Sequence, residues 1–380
     1  MTETPRRSRK PESAAAMRLA ALALFFSAAL GTAAAGTSLA SVRNAGVDYV
    51  SLDEGAARLG LRLERSLPPS AVMLKEGARP VARMIEHSRD SDIKGLRVFL
   101  GDPVIELSGK FYISRTDFDT RLMPRLRPDL CGTPPRPPHV IAIDAGHGGA
   151  DHGNENHTLG TMEKTYTLDV AERLKHLLEA AGYAVVMTRE KDVYIAKQTR
   201  SEIANVAAAD LLVSVHFNSL FPNTKTTGVE VLSFPPRLQR STNSWSPGER
   251  SDSEEAESPV NAFNAWNTVL ASKLHRRLVD ALHSSDRGEK FEHLGVLRGL
   301  KCPGVLVEPA FLSSDIEGQR LGTVAYRDTV AEAVFAGIQD YAEVLRRLKP
   351  SAIAPPSVPG AVPPSPAPAS RTAPTRPGGT

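Results

Sequence analysis

Four residues stand where short apolar runs give way to turns. Val140-Ile141-Ala142-Ile143-Asp144 breaks at once into Ala145-Gly146-His147-Gly148-Gly149, so a strand there would deliver the His147 imidazole into a glycine-rich turn. Glu163 follows sixteen positions later, just before a helix-periodic stretch. Leu211-Leu212-Val213-Ser214-Val215 leads into His216, and Gly304-Val305-Leu306-Val307 leads into Glu308. The carboxyl edge of a parallel sheet is where open α/β folds keep their sites. Two His and one Glu are a ligand set for catalytic Zn²⁺, which keeps a further position open. A second carboxylate, Glu308, beside that position is what metal-assisted hydrolysis requires. A charge amid apolar residues is costly unless it is paired or metal-bound. Each residue alone has a plainer role. His147 could cap a helix or sit in the core, Glu163 could favour a helix N-terminus, and Glu308 could be a paired buried carboxylate. Their intervals match no short zinc motif, so the argument rests on four such residues falling together at strand ends and loops.

The elements that must position them are legible over 139–348. Strand candidates are Val140–Asp144, Tyr183–Thr188, Leu211–His216, Gly228–Phe234, Gly295–Arg298 and Gly304–Glu308. Between them run three amphipathic stripes: Leu168, Ala171, Leu174 and Leu178, closed by Gly182 at the helix end; Phe263, Trp266, Leu270, Leu274 and Leu278; and Val330, Val334, Ile338 and Tyr341. Alternating strands and helices predict an α/β domain, a largely parallel sheet flanked by helices. A small α+β domain is expected over 42–128, with strand candidates Asp48–Leu52, Ala71–Leu74, Leu96–Leu100 and Phe111–Ile113. The Pro-rich stretch 129–138 reads as a linker. A polar insertion occupies 235–262, and 349–380 is a Pro/Ala-rich tail too poor in large apolar residues to repay its ordering.

The catalytic stretch resembles the zinc-dependent N-acetylmuramoyl-L-alanine amidases of the Amidase_3 type. The likeness is carried by "IAIDAGHGGADHG", "MEKTYTLDVAERLKHLLEAAGY", "VMTREKD" with "RSEIAN", "ADLLVSVHFNS", "TGVEVLSF" and "DRGEKFEHLGVLRGLKCPGVLVEPAFLSS", in that order. It implies Zn²⁺ held by His147, Glu163 and His216, with Glu308 as the acid–base residue. The implied reaction is hydrolysis of the amide between muramic acid and L-alanine in peptidoglycan. Ala145 stands where the family commonly has Pro, and Ser314 where Asn is usual; neither change removes a ligand. The family's cell-division members carry an inhibitory helix at the position of 235–262, which implies a possible activator protein acting on that insertion. The phrases "VDYVSLDEGAARLGL" and "GKFYISRTDFDTRLMPRL" resemble the copper amine oxidase N-terminal-like domain, implying a binding or spacing role for 42–128.

The remaining expectations come from composition and flanks. With 41% hydrophobic and 23% charged residues and a net charge of +3, nothing calls for a nucleic-acid partner. Residues 1–35 read as a secretory signal: a basic stretch around Arg6–Lys10, an apolar run from Leu19 to Leu30, and Ala33-Ala34-Ala35 before Gly36. The expected location is therefore the periplasm or cell envelope, with no membrane span in the mature chain. Asp144 is the candidate to orient His147. His152, His157 and His293 are expected in surface or packing roles, and Cys131 and Cys302 are left unassigned. Two other readings remain open here, a zinc peptidase acting within the stem peptide and a non-catalytic peptidoglycan-binding protein.

Overall fold

The computed structural model describes residues 39–68, 70–243 and 256–348. The leader-like 1–35, the tail 349–380 and the acidic middle of the insertion, 244–255, lie outside the described residues.

Eleven strands form one sheet. In chain order they are β1 (Arg62–Ser66), β2 (Ala71–Glu76), β3 (Arg79–Ile85), β4 (Asp90–Ile93), β5 (Leu96–Phe99), β6 (Val140–Ala145), β7 (Ala184–Met187), β8 (Leu211–Val215), β9 (Val229–Ser233), β10 (Asp286–Phe291) and β11 (Gly304–Glu308). Their spatial order is β7-β6-β8-β11-β9-β10-β5-β4-β3-β2-β1. The catalytic half is parallel except where β9 meets β11, and the N-terminal half is an antiparallel meander. A separate antiparallel sheet joins Ser41–Asn44, Val47–Ser51, Lys110–Ser114 and Ile105–Leu107.

Side chains alternate between the two faces of a strand, and here each face has its own cover. Ile141, Ile143, Leu211, Val213, Val215, Val305 and Val307 pack against helices α1 (Glu163–Ala180), α3 (Asn264–Leu282) and α4 (Val324–Arg347). The predicted stripes lie on that side: Leu174, Leu178, Leu270, Leu274, Val334 and Ile338 are fully buried. Gly182 follows α1 at φ +88°, where its N–H closes on the Glu179 carbonyl. On the opposite face Ala142, Leu212, Leu232 and Leu306 pack with Ala204 of helix α2 (Lys197–Val206) and with Val296, Leu297 and Leu300. By the same alternation Asp144, Ser214, His216, Glu230 and Glu308 must point to this second face. Chemistry-bearing side chains from four strands are thereby gathered on one side.

One strand expectation needs correction, and one strand of the catalytic half went unpredicted. Gly295–Arg298 is a short helix, not a strand. Its adjacent residues Val296 and Leu297 are both buried in one apolar cluster, which period-two alternation would not allow. Conversely β10, Asp-Arg-Gly-Glu-Lys-Phe, is a strand that hydropathy conceals because its charges are paired. Glu289 forms an ion pair with Arg125 in which both side chains are buried, and Lys290 meets Glu230 at 2.7 Å.

β10 is also where the N-terminal meander joins the catalytic sheet, pairing in parallel with β5 at Glu289 and Val98. Asp286 secures the seam by accepting from the Arg97 N–H at 2.8 Å, the Gly288 N–H at 2.9 Å and His275 Nε2 at 2.7 Å. Burial pushes its pKa up, but these bonds outweigh burial and hold the carboxyl below its usual range. A carboxylate with a depressed folded pKa stabilises the fold above its unfolded pKa of about 4, and that stabilisation is lost as pH falls through the folded value. Asp286→Asn is therefore expected to cost about 1–3 kcal/mol at neutral pH. Urea titrations should show the gap to wild type narrowing below about pH 4; a gap that does not depend on pH would contradict this role.

Candidate metal centre

Three of the expected residues converge. His147 Nε2 lies 3.1 Å from Glu163 Oε2, and His216 Nδ1 lies 2.9 Å from Glu163 Oε1. The imidazoles meet edge to face, with centroids 4.8 Å apart. One donor atom from each residue falls within 4.8 Å of the others, a cluster that could hold a metal ion. Glu163 is fully buried. Its carboxylate also accepts from the N–H groups of Asn154 at 2.8 Å and Phe217 at 3.0 Å. Burial opposes its charge, yet His147 and His216 hold its pKa well below the usual carboxylate range. The same contacts, with Asp151, raise His147 against the lowering effect of burial. Two imidazole nitrogens around a charged, buried carboxylate are the donor chemistry that suits Zn²⁺.

The glycines around the cluster are there for space. A Cβ on Gly146 would stand 2.4 Å from the His216 ring, and one on Gly153 would stand 2.6 Å from Glu163 Oε2. His147 itself sits at φ +60°, a backbone conformation that costs a non-glycine residue about 1–2 kcal/mol. Two buried arginines hold the turn in place. Arg200 donates to the carbonyls of Ala145 at 2.7 Å and His147 at 2.8 Å, while Arg189 donates to those of Ala145 at 2.9 Å and Gly146 at 2.8 Å.

Asp144 does not orient His147. It is fully buried and accepts from Thr188, Arg200 and Ser214 at 2.6–2.8 Å, so it anchors the strand end and α2. The residue on His147 Nδ1 is Asp151, at 2.9 Å, which leaves Nε2 facing the cluster. The i+4 spacing from His147 was the available signal, hidden because a glycine-rich turn carries no helical periodicity. Of the other histidines, His152 pairs with Glu155 at 2.9 Å and His157 packs against Phe221. His293 lines the cavity described next and contacts Ser241 at 3.2 Å. Cys131 and Cys302 are free thiols.

The cluster opens into a cavity of about 330 Å³. One wall is Tyr194, Ile195 and Lys197; the other runs from Glu292 to Val296, and Glu308 lies in it as well. Glu308 Oε2 is shielded from solvent with no partner among the described residues. Burial, reinforced by Glu163, Glu230 and Glu292, pushes the Glu308 pKa well above its usual range. Beneath it, across the β9–β11 pairing, Glu230 is neutralised by Lys290 and by Arg287 at 3.0 Å.

A mixed, largely parallel sheet with flanking helices, bearing a His/Glu/His donor group beside a second carboxylate, defines the class: an α/β protein with a candidate hydrolytic metal centre. The chain belongs to the Amidase_3 family of N-acetylmuramoyl-L-alanine amidases, whose sequence profile matches residues 141–340. It is 31% identical over 226 residues to the N-acetylmuramoyl-L-alanine amidase AmiC of Neisseria meningitidis, a match covering 55% of this chain and 54% of that protein. It is 30% identical over 206 residues to LytC of Bacillus subtilis, covering 53% of this chain and 35% of that one. A crystal structure of an N-acetylmuramoyl-L-alanine amidase from Clostridium difficile aligns with 55% of this chain and 98% of its own, at 28% identity and a TM-score of 0.45. The chain thus spans about half, or less, of the length of these two curated relatives.

If Asp151 fixes the tautomer of His147, Asp151→Ala should weaken zinc affinity by about 10- to 100-fold. Competition with a chromogenic chelator measures this; unaltered affinity in a folded variant would remove Asp151 from the site.

Proposed function

We propose that the protein hydrolyses the amide between N-acetylmuramic acid and L-alanine in peptidoglycan, with Zn²⁺ held by His147, Glu163 and His216. The observation that carries this reading is the buried Glu163 carboxylate set between two imidazoles in the same cavity as Glu308. Bound there, zinc supplies a charge that acidifies water and polarises an amide carbonyl. Glu308 takes the proton of the attacking water and delivers it to the departing amine of L-alanine, and its raised proton affinity suits a group that must carry a proton between two partners. Asp151 holds His147, and Arg200 and Arg189 hold the turn on which it stands. The complete donor set speaks against a purely non-catalytic binding protein.

The leader-like 1–35 supports export and action at the periplasm or envelope. No helix of the described residues is long and apolar enough to cross a membrane.

Purified sacculi treated with the protein should release stem peptides with a free L-alanine amine. Release should stop with a chelator, return with zinc, and fall by about 10²-fold or more in Glu308→Ala. Mass spectrometry of the new termini is the check. Cuts within the stem peptide would replace this reading with a peptidase.

The insertion is proposed as the element an activator protein acts on. Its described flank docks at the cavity rim, where the Thr242 N–H donates to the Phe291 carbonyl at 2.8 Å and the His293 N–H to Ser241 Oγ at 3.1 Å. Because this flank is packed in place, a deletion should be confined to 244–255. That deletion is expected to raise activity on sacculi in the absence of any partner; unchanged activity in a folded variant would end the idea.

A further inference from the structure

We propose that Lys197 is a specificity residue that receives a carboxylate of the stem peptide, an inference that rests on the amidase reading. Most charges of the cavity are already matched. Arg200 answers Asp144 at 2.8 Å, His147 answers Asp151, and Glu163 lies between the two imidazoles. Lys197 lines the same cavity and is exposed, yet it has no hydrogen-bond or ion-pair partner among the described residues. Its placement does not serve its own helix. It occupies the first position of α2, where the helix dipole disfavours a cation.

The stem of Lys197 stands where the two walls meet: a Cβ on Gly295 would lie 3.3 Å from Lys197 Cβ. Glu292, on the opposite wall, is within electrostatic range of both Lys197 and Glu308. Lys197 thus lines the same cavity as Glu308, the residue that delivers a proton to the leaving amine of the peptide. The peptide's first residue is L-alanine, uncharged. Its second is D-glutamate, linked through its side-chain carboxyl, so the α-carboxylate is free. Two residues span about 7 Å, a reach that keeps this carboxylate within or at the mouth of so small a cavity. A flexible ammonium is suited to meeting such a group without fixed geometry.

The test uses two glycan-linked stem tetrapeptides that differ only at the D-glutamate α-carboxyl, free in one and amidated in the other. Wild type should cut the free acid with a kcat/KM about fivefold higher, the worth of about 1 kcal/mol from one solvent-accessible ion pair. Lys197→Met should abolish that preference, bringing the ratio of kcat/KM for the two substrates to about one, and Lys197→Glu should invert it. Lys197→Arg should retain it. A preference that survives in Lys197→Met, or a wild type with no preference, overturns the proposal and leaves the amidase reading standing. If neither the intact protein nor the 244–255 deletion cuts either substrate or sacculi, the amidase reading falls, and this inference with it.

Discussion

The rest of the catalytic structure is arranged around one buried carboxylate. Glu163 has no solvent exposure; its two oxygens accept from two backbone N–H groups and lie 2.9–3.1 Å from one nitrogen of each of two imidazoles. An uncompensated charge at that depth would cost several kcal/mol, so each donor must arrive with little freedom. This explains the crowding around the site: glycines at 146 and 153 where a Cβ would strike His216, His147 or Glu163, and His147 held in a left-handed conformation by Arg200 and Asp151. The group that could hold a metal is a set of polar side chains that the fold cannot leave unpaired.

The same logic extends outward through paired charges. Glu230 lies beside Glu308 across two antiparallel strands, and Lys290 and Arg287 offset its charge. One position along β10, Glu289 turns to the other side and pairs with Arg125 of the N-terminal region. The strand that carries these residues is thus held on one side by the catalytic sheet and on the other by the meander of residues 62–99, and it leads directly into the cavity wall at Glu292 and His293. Breaking one partner of a buried ion pair costs about 3–5 kcal/mol, so the N-terminal strands are bound into the catalytic sheet.

What the sequence revealed follows from where periodicity survives. Strands β6, β8, β9 and β11 are apolar runs, and α1, α3 and α4 carry clear stripes, so the fold class and the strand-end positions of His147, His216 and Glu308 were legible. Glu163 was legible because it opens a helix. β10 was not, since Asp286, Glu289 and Lys290 mask their burial by pairing with residues far away in the chain. Gly295–Arg298 misled because four residues are too few to separate a strand from a helical turn. Asp144 was given the task of Asp151 for a related reason. Sequence proximity to His147 favoured it, whereas strand alternation turns Asp144 toward Arg200 and the tight turn brings Asp151 back onto the ring.

The central claim is that His147, Glu163 and His216 together form the metal seat, and X-ray absorption at the zinc edge of protein loaded with one equivalent of zinc tests it most directly. The account predicts a nearest shell of light atoms only, with the outer scattering of two imidazoles, and loss of that bound zinc in Glu163→Gln. Sulfur in the nearest shell, or a spectrum and affinity that Glu163→Gln leaves unchanged, would contradict it.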